Sequence, residues 1–266
     1  MTDETSVMVV LHMLKPYAIL DVRCASLVAL ILHNISMDSA LAPTLIEQYA
    51  IKLLHEIFCS VDYKKSKMLC QWSITVLQNL APCKEYHERI MNEGYFMEVL
   101  LFVASLLGGT NEEKTKRGVH SCFDELDVAP IIKAIELIAE TSACHLQLVD
   151  SGIVSTFTSL LHQLIDHTKL MIAKTIASIA SSTTCRQSLV NHGAMDLIMN
   201  ISKHADVETK SKCTLAIGYL SEYTHTAVAN VSTMLNLVKE VEQTGNQGKI
   251  INTCCTRIYG RFMYMK

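Results

Sequence analysis

Eleven histidines and ten cysteines are the residues of this chain best suited to metal or thiol chemistry. A zinc site needs such residues in pairs at short spacing, so that four donors converge on one ion. The closest approaches here are His120-Ser121-Cys122 and Cys144-His145, and neither has the paired spacing. Cys-x-x-Cys, His-Glu-x-x-His and Gly-x-Ser-x-Gly are absent. Asn246-Gln247-Gly248-Lys249 has the Gly-Lys pair of a phosphate loop, but neither the upstream glycine nor the following Ser or Thr. Cys254 and Cys255 are neighbours that would point about 100° apart on a helix, and they read as buried thiols rather than a reactive pair. The expectation is no catalytic centre, no metal and no cofactor.

What recurs instead is architecture. Leu45-Ile46-Glu47-Gln48-Tyr49-Ala50-Ile51 returns as Ile90-Met91-Asn92-Glu93-Gly94-Tyr95-Phe96. It appears again as Leu148-Val149-Asp150-Ser151-Gly152-Ile153-Val154 and Leu189-Val190-Asn191-His192-Gly193-Ala194-Met195. A second phrase keeps step: His33-Asn34-Ile35-Ser36, Gln78-Asn79-Leu80-Ala81, Glu136-Leu137-Ile138-Ala139, Ala177-Ser178-Ile179-Ala180 and Gly218-Tyr219-Leu220-Ser221. Positions 49, 94, 152 and 193 are separated by 45, 58 and 41 residues. Positions 34, 79, 137 and 178 repeat those steps, and 219 adds another 41. Two markers in one register identify a repeat protein.

Half the residues are hydrophobic, 18% are charged, and only four prolines and ten glycines occur. With Leu, Ile, Ala and Met at three- and four-residue spacing, that composition predicts helix throughout. In the unit spanning 166 to 205, Leu170, Ala173, Ile176, Ala177 and Ala180 line one helix face. Ser181, Ser182 and Thr183 can stop that helix and cap the next. A short helix from about Thr184 to His192 should end at Gly193, where a positive φ is needed. Ala194 to Lys203 completes the unit, with Leu197, Ile198 and Ile201 inward.

This pattern resembles the armadillo-repeat family, whose unit has a short first helix ending at glycine, a second helix, and a long third helix closing on an Asn-Leu-Ala type phrase. The resemblance covers nearly the whole chain. It implies an all-α fold, a right-handed armadillo-type α-solenoid forming one superhelix of three-helix repeats over residues 1–266. The repeats fall at a partial unit 4–36 (helices at 4–14 and 18–36), then about 41–81, 84–140, 142–181 and 184–222, and a degenerate 224–263. In the degenerate unit Ser232 lies near the expected glycine, and Gly245 and Gly248 mark the internal turn. Tyr49 replaces the glycine of the first full unit, so a different turn is expected there. The 58-residue step places an inserted loop at 108–127, glycine-flanked and charged, which reads as a solvated insertion or a regulatory, partner-contacting loop.

In the armadillo family the third helices line a concave groove, where asparagines commonly clamp the backbone of an extended partner. Asn34 and Asn79 hold that position, and an amide can both donate to and accept from successive peptide groups. Leu137, Ser178 and Tyr219 interrupt the row. Nuclear-import adaptors of the family have a tryptophan four residues earlier, where this chain has Leu30 and Thr75; the one tryptophan, Trp72, lies seven residues before Asn79. That argues against a nuclear-localisation-signal receptor. Lys133 and Lys174 occupy the same minus-four position in the next two units, with Lys169, Lys210 and Lys212 nearby. They read as a solvated helix face or as a site for an acidic or phosphorylated peptide.

The expected function is a non-catalytic protein-interaction scaffold or adaptor that binds an extended partner segment in the groove. Alternatives are a structural subunit of a cytoskeletal or ciliary assembly joined through apolar solenoid ends, and the substrate-binding repeat module of a ubiquitin ligase. The ends, Val7 to Leu14 and Ile258 to Met265, lack the polar character of capping repeats and suggest self-association or a longer parent chain. A formal charge of −3 offers no field for nucleic acid. The longest apolar runs, Val7 to Leu11 and Leu27 to Leu32, fall far short of the roughly 18 residues a membrane span needs. An acidic start and unpaired cysteines point to a soluble protein of the cytoplasm, with the nucleus or cytoskeleton as alternatives.

Overall fold

The structure, a computed structural model, describes residues 4–107, 126–161, 164–223, 231–243, 256 and 258. The described residues form α-helices, short 3-10 turns and connecting turns, with no strand among them. They fall into two compact units, Met1–Cys144 and His145–Lys266.

In the first unit the helices are α1 (Glu4–Ala18), α2 (Val22–Ser36), α3 (Ala42–Glu47), α4 (Ala50–Ser60), α5 (Lys67–Leu80), α6 (His87–Glu93), α7 (Tyr95–Leu107) and α8 (Ala129–Ile138). α1 runs four residues past the 4–14 expected, carrying Pro16 in its last turn, where the missing N–H costs a single helical bond. α2 starts at Val22 rather than at 18. The Asp21 carboxylate accepts from the backbone N–H groups of Arg23 and Cys24 at 2.7 and 2.8 Å and sets that start. These bonds, Cys24 first and then Arg23, hold the Asp21 carboxyl below its ordinary value. Ser66 caps α5 in the same way, through the Leu69 N–H at 3.1 Å.

In four repeats the short and medium helices meet at a left-handed residue. Gly94, Gly152 and Gly193 have φ of 76°, 83° and 84°, which only glycine adopts without steric cost. At Gly94 the chain turns by 74°. Tyr49 corrects the expectation of a different turn: it takes φ 60°, ψ 33°, the same left-handed conformation. A side chain there costs roughly 1–2 kcal/mol relative to glycine. Tyr49 is 55% exposed, so core burial does not offset that cost, and Arg89 stands 5.2 Å from the ring centroid.

α2 packs along α5, and α5 packs along α8. Leu32, Leu77, Leu80 and Ile135 are fully buried on these helices. α4 packs on α7, where the Phe58 and Phe102 rings stack 5.9 Å apart and His55 pairs with Glu98. His87 is buried, with Nε2 2.6 Å from the Ala81 carbonyl and Nδ1 2.7 Å from the Thr141 hydroxyl. A carbonyl can only accept, so Nε2 carries a hydrogen, and one ring joins the end of α5 to the turn after α8.

The second unit contains α9 (His145–Asp150), α10 (Ile153–Leu160), α11 (Asp166–Ser181), α12 (Thr183–Asn191), α13 (Ala194–Ser202), α14 (Val207–Leu220) and α15 (Val231–Gln243). α12 and α13 lie within one residue of the expected bounds. Ala173, Ile176, Ala177, Ala180, Leu197, Ile198 and Ile201 are buried, while Leu170 is half-buried. α11 and α14 pack along each other. Ser182 stands at the N-cap of α12, but its side chain makes no cap bond. Its hydroxyl lies 2.6 Å from His145 Nδ1 instead. Arg186 is buried and donates from Nε to the Ala180 carbonyl at 2.8 Å. His87, His145 and Arg186 keep the repeat's 58- and 41-residue steps, so one position of the short helix supplies a buried polar side chain in three successive repeats.

Ser232 lies inside α15 rather than at a turn. The proposed loop 108–127 (save Leu126 and Asp127), Gly245 and Gly248, His120 and Cys122, Cys254 and Cys255, and nearly all of the C-terminal apolar stretch lie outside the described residues.

Candidate partner-binding face

Asn34, Thr75 and Asn79 occupy α2 and α5, which pack side by side in the first unit, and Lys133 occupies α8 beside them. Lys174, Ser178 and Tyr219 belong to α11 and α14 of the second unit.

In the first unit the amides differ in kind. Asn34 is exposed, and its side chain makes no hydrogen bond among the described residues. Asn79 is half-buried and donates from Nδ2 to the Ser36 hydroxyl at 3.0 Å, which in turn donates to the His33 carbonyl at 2.8 Å. Its carbonyl oxygen remains an acceptor. Thr75 donates to Gln71 of its own helix at 2.8 Å. Lys133 is paired 2.8 Å from Glu136 on the same helix.

The register also brings forward residues that spacing alone did not single out. Leu27 and Met68 are 58% and 57% exposed, although both belong to core-forming helices. Leu30 and Trp72 are half-buried. Leu27 and Trp72 are related by the same 45-residue step as Asn34 and Asn79. That step was the available signal. Three- and four-residue offsets put Leu27, Leu30 and Asn34 on one stripe of α2 and Met68, Trp72, Thr75 and Asn79 on one stripe of α5. The first unit therefore carries apolar side chains followed by amides along adjacent helices. That arrangement suits an extended chain with alternating apolar side chains and free peptide groups.

In the second unit Lys174 lies 3.2 Å from Glu208, and Ser178 is half-buried. Lys210 pairs with Glu240 at 2.6 Å and Lys169 with Asp166 at 3.0 Å. Arg186 stands 5.2 Å from the Tyr219 ring centroid. Lys169, Lys174 and Lys210 are thus each matched by a carboxylate, which weakens the field an acidic ligand would meet. Such exposed pairs contribute about 0–1 kcal/mol and open readily.

Among the described residues no group of three or more His, Cys, Asp or Glu is placed to hold a metal. Cys144 is buried, and burial, with a smaller contribution from Glu88, pushes its thiol up to about 11. No single described helix is long and apolar enough to cross a bilayer.

No protein-family model matches the chain, and no curated protein matches it in sequence. Solved structures do. A designed armadillo repeat protein aligns at a TM-score of 0.63 and 16% identity, covering 94% of this chain and 98% of that one. Two engineered proteins align at TM-scores of 0.59 and 0.60 with 17% and 16% identity, each over 94% of this chain and at least 95% of their own. At such identities the likeness is one of fold, and this chain has an armadillo-like helical repeat fold.

Proposed function

We propose that the protein is a non-catalytic interaction scaffold that binds an extended segment of a partner protein along the α2–α5 face. Folds of this type generally serve as protein-binding scaffolds, and the finer reading rests on one observation. Consecutive long helices expose Leu27 and Met68, and α2 also exposes the Asn34 amide. The apolar side chains supply burial on binding, and the amides select main chain over side chain. Lys133, on the neighbouring α8, contributes to acidic side chains of the partner only after releasing Glu136. The described cysteines form no disulfide, in keeping with a cytoplasmic location.

The test is affinity capture from cell lysate with mass spectrometry, comparing the wild-type chain with Asn34→Ala/Leu27→Asp and with Lys133→Glu/Lys174→Glu. All variants are first shown to melt cooperatively. Partners lost from the first variant support the α2–α5 face. A partner list unchanged from wild type in both variants removes the groove reading.

A second reading has its own observation. The outer side of α1 exposes Val9, Met13 and Tyr17, at 53%, 64% and 58%. Those residues favour a structural subunit whose first helix packs against a neighbouring molecule.

A further inference from the structure

We infer that a cavity between α1 and the α3–α4 turn binds a phosphomonoester carried on an aromatic or short apolar stem. The cavity has a volume of about 250 Å³ and is independent of the α2–α5 face. Leu11 and Leu53, both nearly buried, contribute its apolar lining. Lys15, Lys52 and His12 also line it, with one carboxylate, Glu56. The lining is therefore locally positive in a chain whose net charge is −3.

The second observation is Tyr49, which also lines the cavity. Three other repeats place glycine at this left-handed position, and nothing lies within 4 Å of where a Cβ would stand on those glycines. The fold does not require a side chain there. Tyr49 accepts the backbone strain while remaining mostly exposed, with the Arg89 guanidinium against its ring and Arg89 itself held by Glu93 at 3.0 Å. Strain retained without burial marks a side chain kept for what it contacts. Here it makes a wall of the cavity that Lys15 and Lys52 also line.

The charge arrangement matches a dianion. Lys15 and Glu56 are 3.6 Å apart, a long pair of an exposed lysine and a half-buried carboxylate, which an incoming phosphate can replace. Lys52 lies 5.9 Å from the Tyr95 ring centroid and needs no carboxylate to hold it in place. The volume lies below the range usual for cofactor pockets, which suits one phosphorylated ring or side chain rather than a dinucleotide.

The test titrates the full chain with phenyl phosphate, followed by 31P NMR line width and by calorimetry, with phenol as the uncharged control. We expect saturable binding at millimolar or lower concentration, at least tenfold weaker for phenol. Tyr49→Gly, which restores the residue of the other repeats, should raise the melting temperature while weakening phenyl phosphate at least tenfold. Lys52→Gln should weaken it severalfold without changing the melt. A phosphotyrosine peptide that binds much more tightly than phenyl phosphate identifies a partner side chain as the source; equal affinity identifies a free small molecule. Absence of saturable binding, phenol binding equal to phenyl phosphate, or undiminished binding by Tyr49→Gly would each overturn the assignment.

Discussion

The Asn79 amide nitrogen lies 3.0 Å from the Ser36 hydroxyl, across the packed pair α2 and α5. A side chain expected to face a partner is thus already engaged in joining two repeats. One residue type at one repeat position serves two purposes: Asn34 stands exposed and open to a ligand, while Asn79 spends its donor on the fold.

That difference is measurable. Asn79→Ala should lower stability by about 1 kcal/mol, the usual net worth of such a bond, whereas Asn34→Ala should stay within about 0.5 kcal/mol of wild type. Chemical denaturation of both variants checks this. Equal stabilities would mean that the Asn79–Ser36 bond contributes nothing.

His87→Ala removes both ring contacts and leaves the Ala81 carbonyl and Thr141 hydroxyl without their partner. The expected loss is about 2–4 kcal/mol, combining unsatisfied buried groups with a cavity. Thermal melting checks it, and His87→Gln, which keeps one donor and one acceptor, should lose less than His87→Ala.

Asp206 caps α14 through the Thr209 N–H at 2.7 Å, and that bond holds its carboxyl below the ordinary value. A lowered folded-state value means the stabilisation is complete above the unfolded carboxyl's range, near 4, and is lost as pH falls through the folded value. Asp206→Ala should therefore cost about 1 kcal/mol at pH 7, with the gap from wild type narrowing as the solution is acidified below about pH 4. Asp206→Asn should keep its capping at all pH values. Denaturation curves across the acid range discriminate the two.

Burial pushes the Cys144 thiol up to about 11 and the Cys213 thiol up to about 12. Both should resist iodoacetamide in the native protein at pH 8, where exposed Cys59 should alkylate first. The linkage sign is opposite to that of Asp206. An unfolded thiol ionises near 8.5 while the buried ones stay protonated, so stability falls as pH rises through that value. Mass mapping of the labelled native chain gives the order of reaction.

Gly193→Ala should cost about 1–2 kcal/mol through its φ of 84° alone, because no neighbouring atom obstructs the added carbon. Tyr49→Gly should shift stability the other way. Paired melts of the two variants test whether Tyr49 and Gly193 share one turn geometry.

The sequence by itself determined the period, the helices and the position of the glycine turns. These follow from interactions within about four residues: apolar offsets that line one helix face, side-chain oxygens that satisfy free N–H groups, and glycine's access to positive φ. Gly193 was legible for that reason. Tyr49 was not, because a non-glycine residue enters the left-handed region only when surrounding packing holds it there. Tertiary structure alone decided which side chains meet across repeats: Asn79 with Ser36, His87 with Thr141, His145 with Ser182, Lys174 with Glu208. Those pairs lie 34 to 54 residues apart, and their existence depends on helix packing and rotamer choice that no local pattern records. Ser182 illustrates the boundary. Its type announced a cap, and the nearby imidazole of His145 took its hydroxyl instead.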